Sequence, residues 1–227
     1  MNKLPNIAID GPAASGKTTV ARMLAARLGL IYLDTGAMYR AVTWKALQQG
    51  LDLADGSSLE TLACGMHLAM EPDPTSSAGH RLLVDGHDIT GELHSPEVSG
   101  AVPRVASVPG VRRDMVRRQR EKTEGGGVIM VGRDIGTVVM PDARLKFYLD
   151  ADLEERARRR RLDLEGEGRG FSQDEVARQL EERDSIDSTR NDSPLRVADD
   201  AVRLDCTRLS ADQVVDDIVE RFERARR

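Results

Sequence analysis

At 227 residues, 40% hydrophobic and 31% charged, the chain can bury one core of α/β size with room for a small insert, and more than two independent domains are not expected. Its formal charge of -5 excludes a protein that coats nucleic acid through a broadly basic face, so any polyanion must be met by a local pocket. No apolar run reaches membrane-spanning length and the start has no leader-like apolar stretch, which predicts a soluble, cytoplasmic chain with no membrane partner.

In chain order, Asn6-Ile-Ala-Ile9 enters a glycine loop, after which Val20, Leu24 and Leu28 recur every four residues and predict a helix stopping near Gly29. The run Leu30 to Leu33 predicts a second strand, and the apolar residues of 37–47 predict a helix ending at Gly50. Strand, helix and strand in that order predict a parallel sheet. From 63 to 95 the pattern changes to short alternating pieces. Arg81-Leu82-Leu83-Val84 followed by Asp85-Gly86 is a hairpin signal, so this stretch reads as a small antiparallel insert. Helices over 96–107 and 109–123 follow, then strands at Val128 to Val131 and Lys146 to Leu149. Asp152 with Glu155, and Ser172 with Glu175, have capping-box spacing and place helix starts near 153 and 173. Between them Gly166-Glu167-Gly168-Arg169-Gly170 is where a mobile lid would hinge. Residues 201–205 predict a last strand. Ser210 with Gln213 caps a final helix whose Val214, Val215, Ile218, Val219 and Phe222 share one apolar face.

Gly11-Pro12-Ala13-Ala14-Ser15-Gly16-Lys17-Thr18 satisfies GxxxxGK[ST] and lies between an apolar strand and a helix, as a phosphate loop must. Glycines let backbone N–H groups turn inward around a β-phosphate, and the helix N-terminus adds a favourable dipole. Lys17 reaches β/γ oxygens and Thr18 offers a hydroxyl to Mg2+. A chance match in a glycine-rich turn is the bland alternative, and the flanking strand and helix weigh against it. A P-loop by itself also fits GTPases, motors and ATP-driven switches. There is no NKxD guanine motif, and the length is short for a motor, which favours a small phosphotransferase. The chain has 28 Arg against 5 Lys; guanidinium forks grip phosphate in two places at once, although GC-rich codon usage yields the same ratio.

Three segments resemble the bacterial-type cytidylate kinase family: Ile9-Asp10 with the loop to Thr18, Leu33-Asp-Thr-Gly-Ala-Met-Tyr-Arg40, and Gly132-Arg-Asp-Ile-Gly-Thr-Val-Val139. The likeness runs from end to end and includes the closing Glu182-Arg-Asp-Ser-Ile-Asp-Ser-Thr-Arg190 segment. The resemblance implies a P-loop nucleoside monophosphate kinase fold, a five-stranded parallel sheet flanked by helices with a small antiparallel insert and a short lid. It implies one domain with its core at about 1–62, 96–152 and 172–227, the insert at about 63–95 and the lid at about 153–171. The implied reaction moves the γ-phosphoryl of ATP to CMP or dCMP, with Mg2+ accompanying ATP, in a monomer without nucleic-acid partners. Another small P-loop kinase, of shikimate or deoxynucleoside type, and a nucleotide-dependent switch are the competing readings.

Residue by residue, the resemblance implies ATP binding by Gly11 to Thr18, Thr19 and Arg159. It implies an acceptor phosphate met by Arg40, Arg133 and Arg190, and a sugar with its phosphate approached by Arg183 and Asp187. Thr35 and Tyr39 line the acceptor pocket. Cytosine shows an amine donor beside N3 and O2 acceptors, and Asp134 with Arg112 match the carboxylate and donor that would read it. Lys17, Arg133, Arg156 and Arg160 are the implied catalytic residues, while Asp10 and Asp134 act as organisers and not as proton acceptors. Thr35 stands where the family often has serine, and Pro103 stands where a serine near the base is common, so one base contact is expected to be missing or water-mediated.

Arg156, Arg158, Arg159, Arg160 and Arg161 put five cations in six helical positions, a costly arrangement without anions. The bland alternative is an exposed face paired with Glu154, Glu155 and Asp163. The histidines, His67, His80, His87 and His94, lie in the insert without metal-ligand spacing and are expected at the surface. Cys64 and Cys206 suggest neither a disulfide nor a zinc site.

Overall fold

The computed structural model describes residues 3–73, 80–166, 168 and 170–226. Its elements begin with β1 (Ile7–Asp10), α1 (Lys17–Leu28), β2 (Ile31–Asp34), α2 (Thr35–Gln48) and α3 (Gly56–Gly65). Three short strands follow, β3 (Leu68–Pro72), β4 (His80–Val84) and β5 (His87–Asp88), then α4 (Pro96–Ala106) and α5 (Pro109–Glu121). The chain closes with β6 (Val128–Gly132), β7 (Leu145–Asp150), α6 (Leu153–Gly166), α7 (Gln173–Thr189), β8 (Val202–Asp205) and α8 (Ala211–Arg226). Two compact units result, one of Met1–Leu33 with Gly125–Arg227 and one of Asp34–Glu124.

In the first unit a five-stranded sheet runs in the order β2-β6-β1-β7-β8. The ladders of β1 with β6, β1 with β7, and β7 with β8 are parallel. Ile7, Ala8 and Ile9 of the central strand are all fully buried, as expected for a strand covered on both faces, where the sequence reads as an unbroken apolar run. Ile7 and Ile9 join Leu24 of α1, Ile129 and Val131 of β6, Phe147 and Leu149 of β7, and Val214, Ile218 and Phe222 of α8 in one core. The parallel registers place Asp10 beside Gly132 on one side and Tyr148 on the other. The loops leaving β1, β6 and β7 therefore emerge at one edge, the carboxyl edge, where open α/β sheets present their ligand sites.

The second unit carries the antiparallel sheet β3-β4-β5 and helices α2 to α5. Asp85 (φ 50) and Gly86 (φ 83) both take left-handed backbone, the requirement of a two-residue hairpin turn, so the Asp-Gly signal marks the β4–β5 connection. Helix α3 was not anticipated from the sequence. Asp55 caps it by accepting from the N–H groups of Ser57 and Ser58 at 3.0 and 3.1 Å, and Leu59 and Ala63 bury its inner face. Its far end is held by Arg118, which donates to the carbonyls of Ala63 and Met66.

The helix starts near 153 and 173 are present, but by different means. Ser172 and Glu175 form a reciprocal capping box. Glu155, in contrast, spends its carboxylate on Arg158 and Arg159, and the Asp152 N–H donates to Thr207 Oγ1 at 2.9 Å, so the second expected box is replaced by pairs within α6 and a tie to the loop after β8. His67, His87 and His94 are exposed. Residues 74–79 of the expected insert, Glu167 and Arg169 of the expected hinge, and the His80 side chain lie outside the described residues.

Phe222 is the large side chain that seals α8 against the sheet, at 1% exposure. Phe222→Ala is expected to lower the unfolding free energy by about 3–5 kcal/mol, measured by urea denaturation.

Candidate active site

The loop after β1 is shaped by backbone that side chains resist. Gly11 has φ 148, and a Cβ there would fall 2.0 Å from the Leu149 carbonyl oxygen, so only glycine lets β1 turn this closely against β7. Ala14 holds φ 60, a left-handed conformation costing an alanine about 1–2 kcal/mol. Gly16 then starts α1 with φ 93 and no side-chain cap. The first N–H groups of α1 thus keep their hydrogen-bonding capacity for an anion, with the helix dipole behind them.

Lys17 is 7% exposed. Its ammonium donates to the Pro12 carbonyl and to Ser15 Oγ. Burial pushes its pKa well below the lysine range, and Arg133 and Arg183 push it further, against Asp10 and Asp184. A bound polyphosphate would oppose these lowering effects by adding negative charge beside the ammonium. Thr18 and Thr19, in the same first turn, are exposed.

Asp10, at the end of β1, accepts from the N–H groups of Ile135 and Gly136 at 2.8 and 2.7 Å. It thereby anchors a π-helical turn, Ile135–Val139, a rare form that recurs at functional sites. Burial raises the Asp10 carboxyl to about 6, with the two N–H bonds and Lys17 opposing and Asp134 adding to the rise. Asp134, just before the turn, is 4% exposed and lies 3.7 Å from Arg190 Nη2.

Arg133 donates through Nε to Asp187 Oδ2 at 2.8 Å, and Arg190 Nη1 stands 3.6 Å from the other oxygen. Burial would raise the Asp187 carboxyl, but Arg133, Arg183 and Arg190 hold it below its ordinary range. Four residues of the expected acceptor set, Arg133, Asp134, Asp187 and Arg190, thus form one network across the β6 loop and the end of α7, and Arg183 acts on it electrostatically.

The α6 arginines are not the uncompensated cluster that their spacing suggested. Arg158 and Arg159 share Glu155, Arg161 pairs with Glu165 and Arg156 with Asp184. Glu155 is a partner the spacing predicted, serving two arginines, whereas Glu165 and Asp184, which pair Arg161 and Arg156, were not among those expected. Glu155 is held near pH 2, mainly by Arg158. Arg159 also donates to the Cys206 carbonyl at 2.6 Å, and its Nη1 would lie 3.6 Å from a Cβ at Gly16, which puts it beside the phosphate loop. Arg156 donates to the carbonyls of Ala151 and Ala13. Arg160 is half-buried and makes no ion pair among the described residues. Asp184 lies inside the Glu182 to Arg190 segment, but its partners Ala13 and Arg156 are remote in sequence, so spacing assigns it no role.

Thr35, Tyr39, Arg40 and Arg112 belong to the second unit. Asp34 caps α2 through the Gly36 N–H at 2.8 Å, which starts the helix at buried Thr35. Arg40 Nη1 donates to the Leu93 carbonyl and to Ser99 Oγ, each at 3.0 Å. Arg112, 2% exposed, stacks its guanidinium 5.3 Å from the Tyr39 ring centre and donates to the Ala106 carbonyl. Pro103 lies inside α4.

A family model described as cytidylate kinase matches residues 7–224. The chain is 50% identical over 227 residues, all of both chains, to the cytidylate kinase of Pelotomaculum thermopropionicum. It is 47% identical over 222 residues, 97% of each chain, to that of Geobacillus kaustophilus. A bifunctional pantoate ligase/cytidylate kinase of Synechococcus sp. matches at 49% over 218 residues, 96% of this chain and 40% of that one. Among solved structures, an uncharacterized protein from Eubacterium ventriosum aligns with a TM-score of 0.52 at 14% identity over 97% of this chain and 99% of that one, a likeness of fold alone.

Because Asp10 binds a proton more tightly folded, at about 6, than at the ordinary 3.8, the folded chain carries more protons between those values and loses stability as pH rises through them. Asp10→Asn cannot ionise and lacks that slope. Urea unfolding from about pH 3.5 to about pH 7 should show the variant gaining up to about 3 kcal/mol relative to the parent chain.

Proposed function

The chain belongs to the cytidylate kinase family, and on that premise we propose that it moves the γ-phosphoryl group of ATP to CMP or dCMP by direct in-line transfer. The observation that carries the reading is the uncapped, left-handed start of α1 at Gly16 with buried Lys17 behind it, adjoining a guanidinium and carboxylate network built from Arg133, Asp134, Asp187 and Arg190. A triphosphate needs the first and a monophosphate the second.

Roles follow from charge and position. The loop from Gly11 to Gly16 wraps the β-phosphate, with the backbone N–H groups that follow Ala13 offered to it, and Lys17 bridges β and γ oxygens, regaining its ordinary basicity there. Thr18 and Thr19 border the phosphates, and Arg159 faces them from α6. The exposed Thr18 hydroxyl suits a hard cation that prefers oxygen ligands; Mg2+ arriving with ATP would neutralise charge on its terminal phosphates. Arg40, Arg133, Arg183 and Arg190 hold the acceptor dianion, and Asp187 keeps Arg133 and Arg190 aimed. Thr35 and Tyr39 line the acceptor, and Asp134 with Arg112 read the base. The buried setting of both readers makes a wrong base costly, because it leaves polar groups without partners.

The acceptor phosphate is already an anion, so transfer requires positioning and charge stabilisation more than a base. Asp10, with both oxygens engaged by backbone N–H groups, is an organiser of the loop that presents Arg133 and Asp134. Arg156 and Arg160 stabilise the charge that spreads over the moving phosphoryl group, and closure of the 153–171 lid would exclude the water that competes with CMP.

A nucleotide panel with coupled ADP detection tests the reading, with CMP and dCMP expected to be the fastest acceptors; equal rates with every monophosphate, or hydrolysis exceeding transfer, would refute it. Lys17→Ala should lower kcat by about a hundredfold or more with every acceptor. Asp134→Ala should lower kcat/KM for CMP and dCMP by at least about tenfold relative to UMP.

A further inference from the structure

Asp184 lies one turn before Asp187 on α7, and its carboxylate bridges two partners that are remote in sequence. Oδ1 accepts from the N–H of Ala13 in the phosphate loop at 3.3 Å, and Oδ2 accepts from Arg156 Nη1. The same Nη1 donates to the carbonyl oxygen of Ala13 at 3.2 Å, while Nε donates to the Ala151 carbonyl at 2.9 Å. Both polar atoms of the Ala13 backbone are therefore held by one ion pair, in a closed ring of hydrogen bonds. Arg156 is 8% exposed, so this is a largely desolvated charge pair in which each ion depends on the other. Ala13 directly precedes Ala14, whose φ of 60 is the strained step that turns the following N–H groups. Asp184 also adds negative potential at Lys17, where two arginines act in the opposite sense.

We infer that Asp184 is a positioning residue for ATP, fixing the Ala13 backbone in the orientation that the strained turn at Ala14 needs and seating Arg156 of α6 against the phosphate loop. This rests on the reading of Gly11 to Thr18 as the triphosphate site and adds a residue that touches no substrate. The Ala13 N–H is engaged by Asp184, so the N–H groups that follow it are the ones left for phosphate. Without the carboxylate, Ala13 loses one backbone partner, and Arg156 becomes an unpaired buried cation that must leave or distort the loop. Preorganisation of the loop is lost before any phosphate contact is made.

The test is equilibrium binding of ATP with Mg2+ by titration calorimetry, with no acceptor present, alongside KM values for ATP and CMP. Asp184→Asn keeps the shape and one acceptor but turns an amide donor toward Arg156. It should raise Kd and KM for ATP about tenfold and leave KM for CMP within about twofold, with a urea midpoint showing a folded chain. Asp184→Ala should be more severe, and Asp184→Glu should recover part of the loss. Arg156→Ala combined with Asp184→Ala should weaken ATP binding by clearly less than the product of the single effects, since the residues act through one ring. Unchanged ATP affinity in folded Asp184→Asn, equal losses for ATP and CMP, or full additivity of the pair would overturn the inference. Failure of the parent chain to phosphorylate CMP would instead strike the functional reading and leave the calorimetric result to stand alone.

Discussion

A buried ammonium sets the terms for much of this structure. Lys17 stands at the first position of α1 with 7% exposure, among arginines that lower its pKa, and the unliganded chain must tolerate that charge without solvating it. It does so with oxygen already present in the loop, the Pro12 carbonyl and Ser15 Oγ, and with the more distant charges of Asp10 and Asp184. Such compensation is partial. A polyanion offsets the residual charge imbalance, so the loop is more complementary to its ligand than to its empty state.

The same logic extends along the carboxyl edge of the sheet. Asp10 meets two backbone N–H groups, Asp184 meets Arg156 and the Ala13 N–H, and Asp134 and Asp187 share Arg190 with Arg133 added at Asp187, so their environments differ. Asp10 accepts only from neutral backbone and its pKa rises to about 6, whereas Asp187, surrounded by three arginines, falls below the usual range. At Asp10 the two anchoring N–H bonds work against the rise that burial causes, whereas Asp187 remains a permanent counter-charge for its arginines. The division of labour depends on which strand or helix end presents each residue, more than on residue type.

Backbone geometry supplies the remaining constraint. Gly11 is required because the Leu149 carbonyl leaves no space for a Cβ, and the π-turn after Asp134 is required because two consecutive N–H groups must reach Asp10. Both features lie where parallel strands end side by side. Strand register, through the neighbours Gly132 and Tyr148 of Asp10, thus determines site geometry.

The local signals in the sequence were sufficient for the phosphate loop, the Asp85-Gly86 hairpin, the capping box at Ser172 and the apolar face of α8, because each depends on residues within one or two turns of one another. Helix α3 was readable in principle from Asp55 and the Leu59 to Ala63 spacing, but it is short and surrounded by turn residues. The partners of Arg158, Arg159 and Arg161 are equally local, three or four residues away, but that of Arg156 was beyond that reach. Composition predicted repulsion, and folding supplied Asp184, a residue 171 positions from the loop atom it holds. Sequence alone thus determined most of the elements and the residue types able to grip phosphate, which follow from periodicity and short spacing, while the family was implied by the resemblance of its motifs. Tertiary structure decided which charges are buried, which remote groups are paired and which way Asp10 and Asp187 titrate, because desolvation and long-range ion pairing arise only when distant segments pack together.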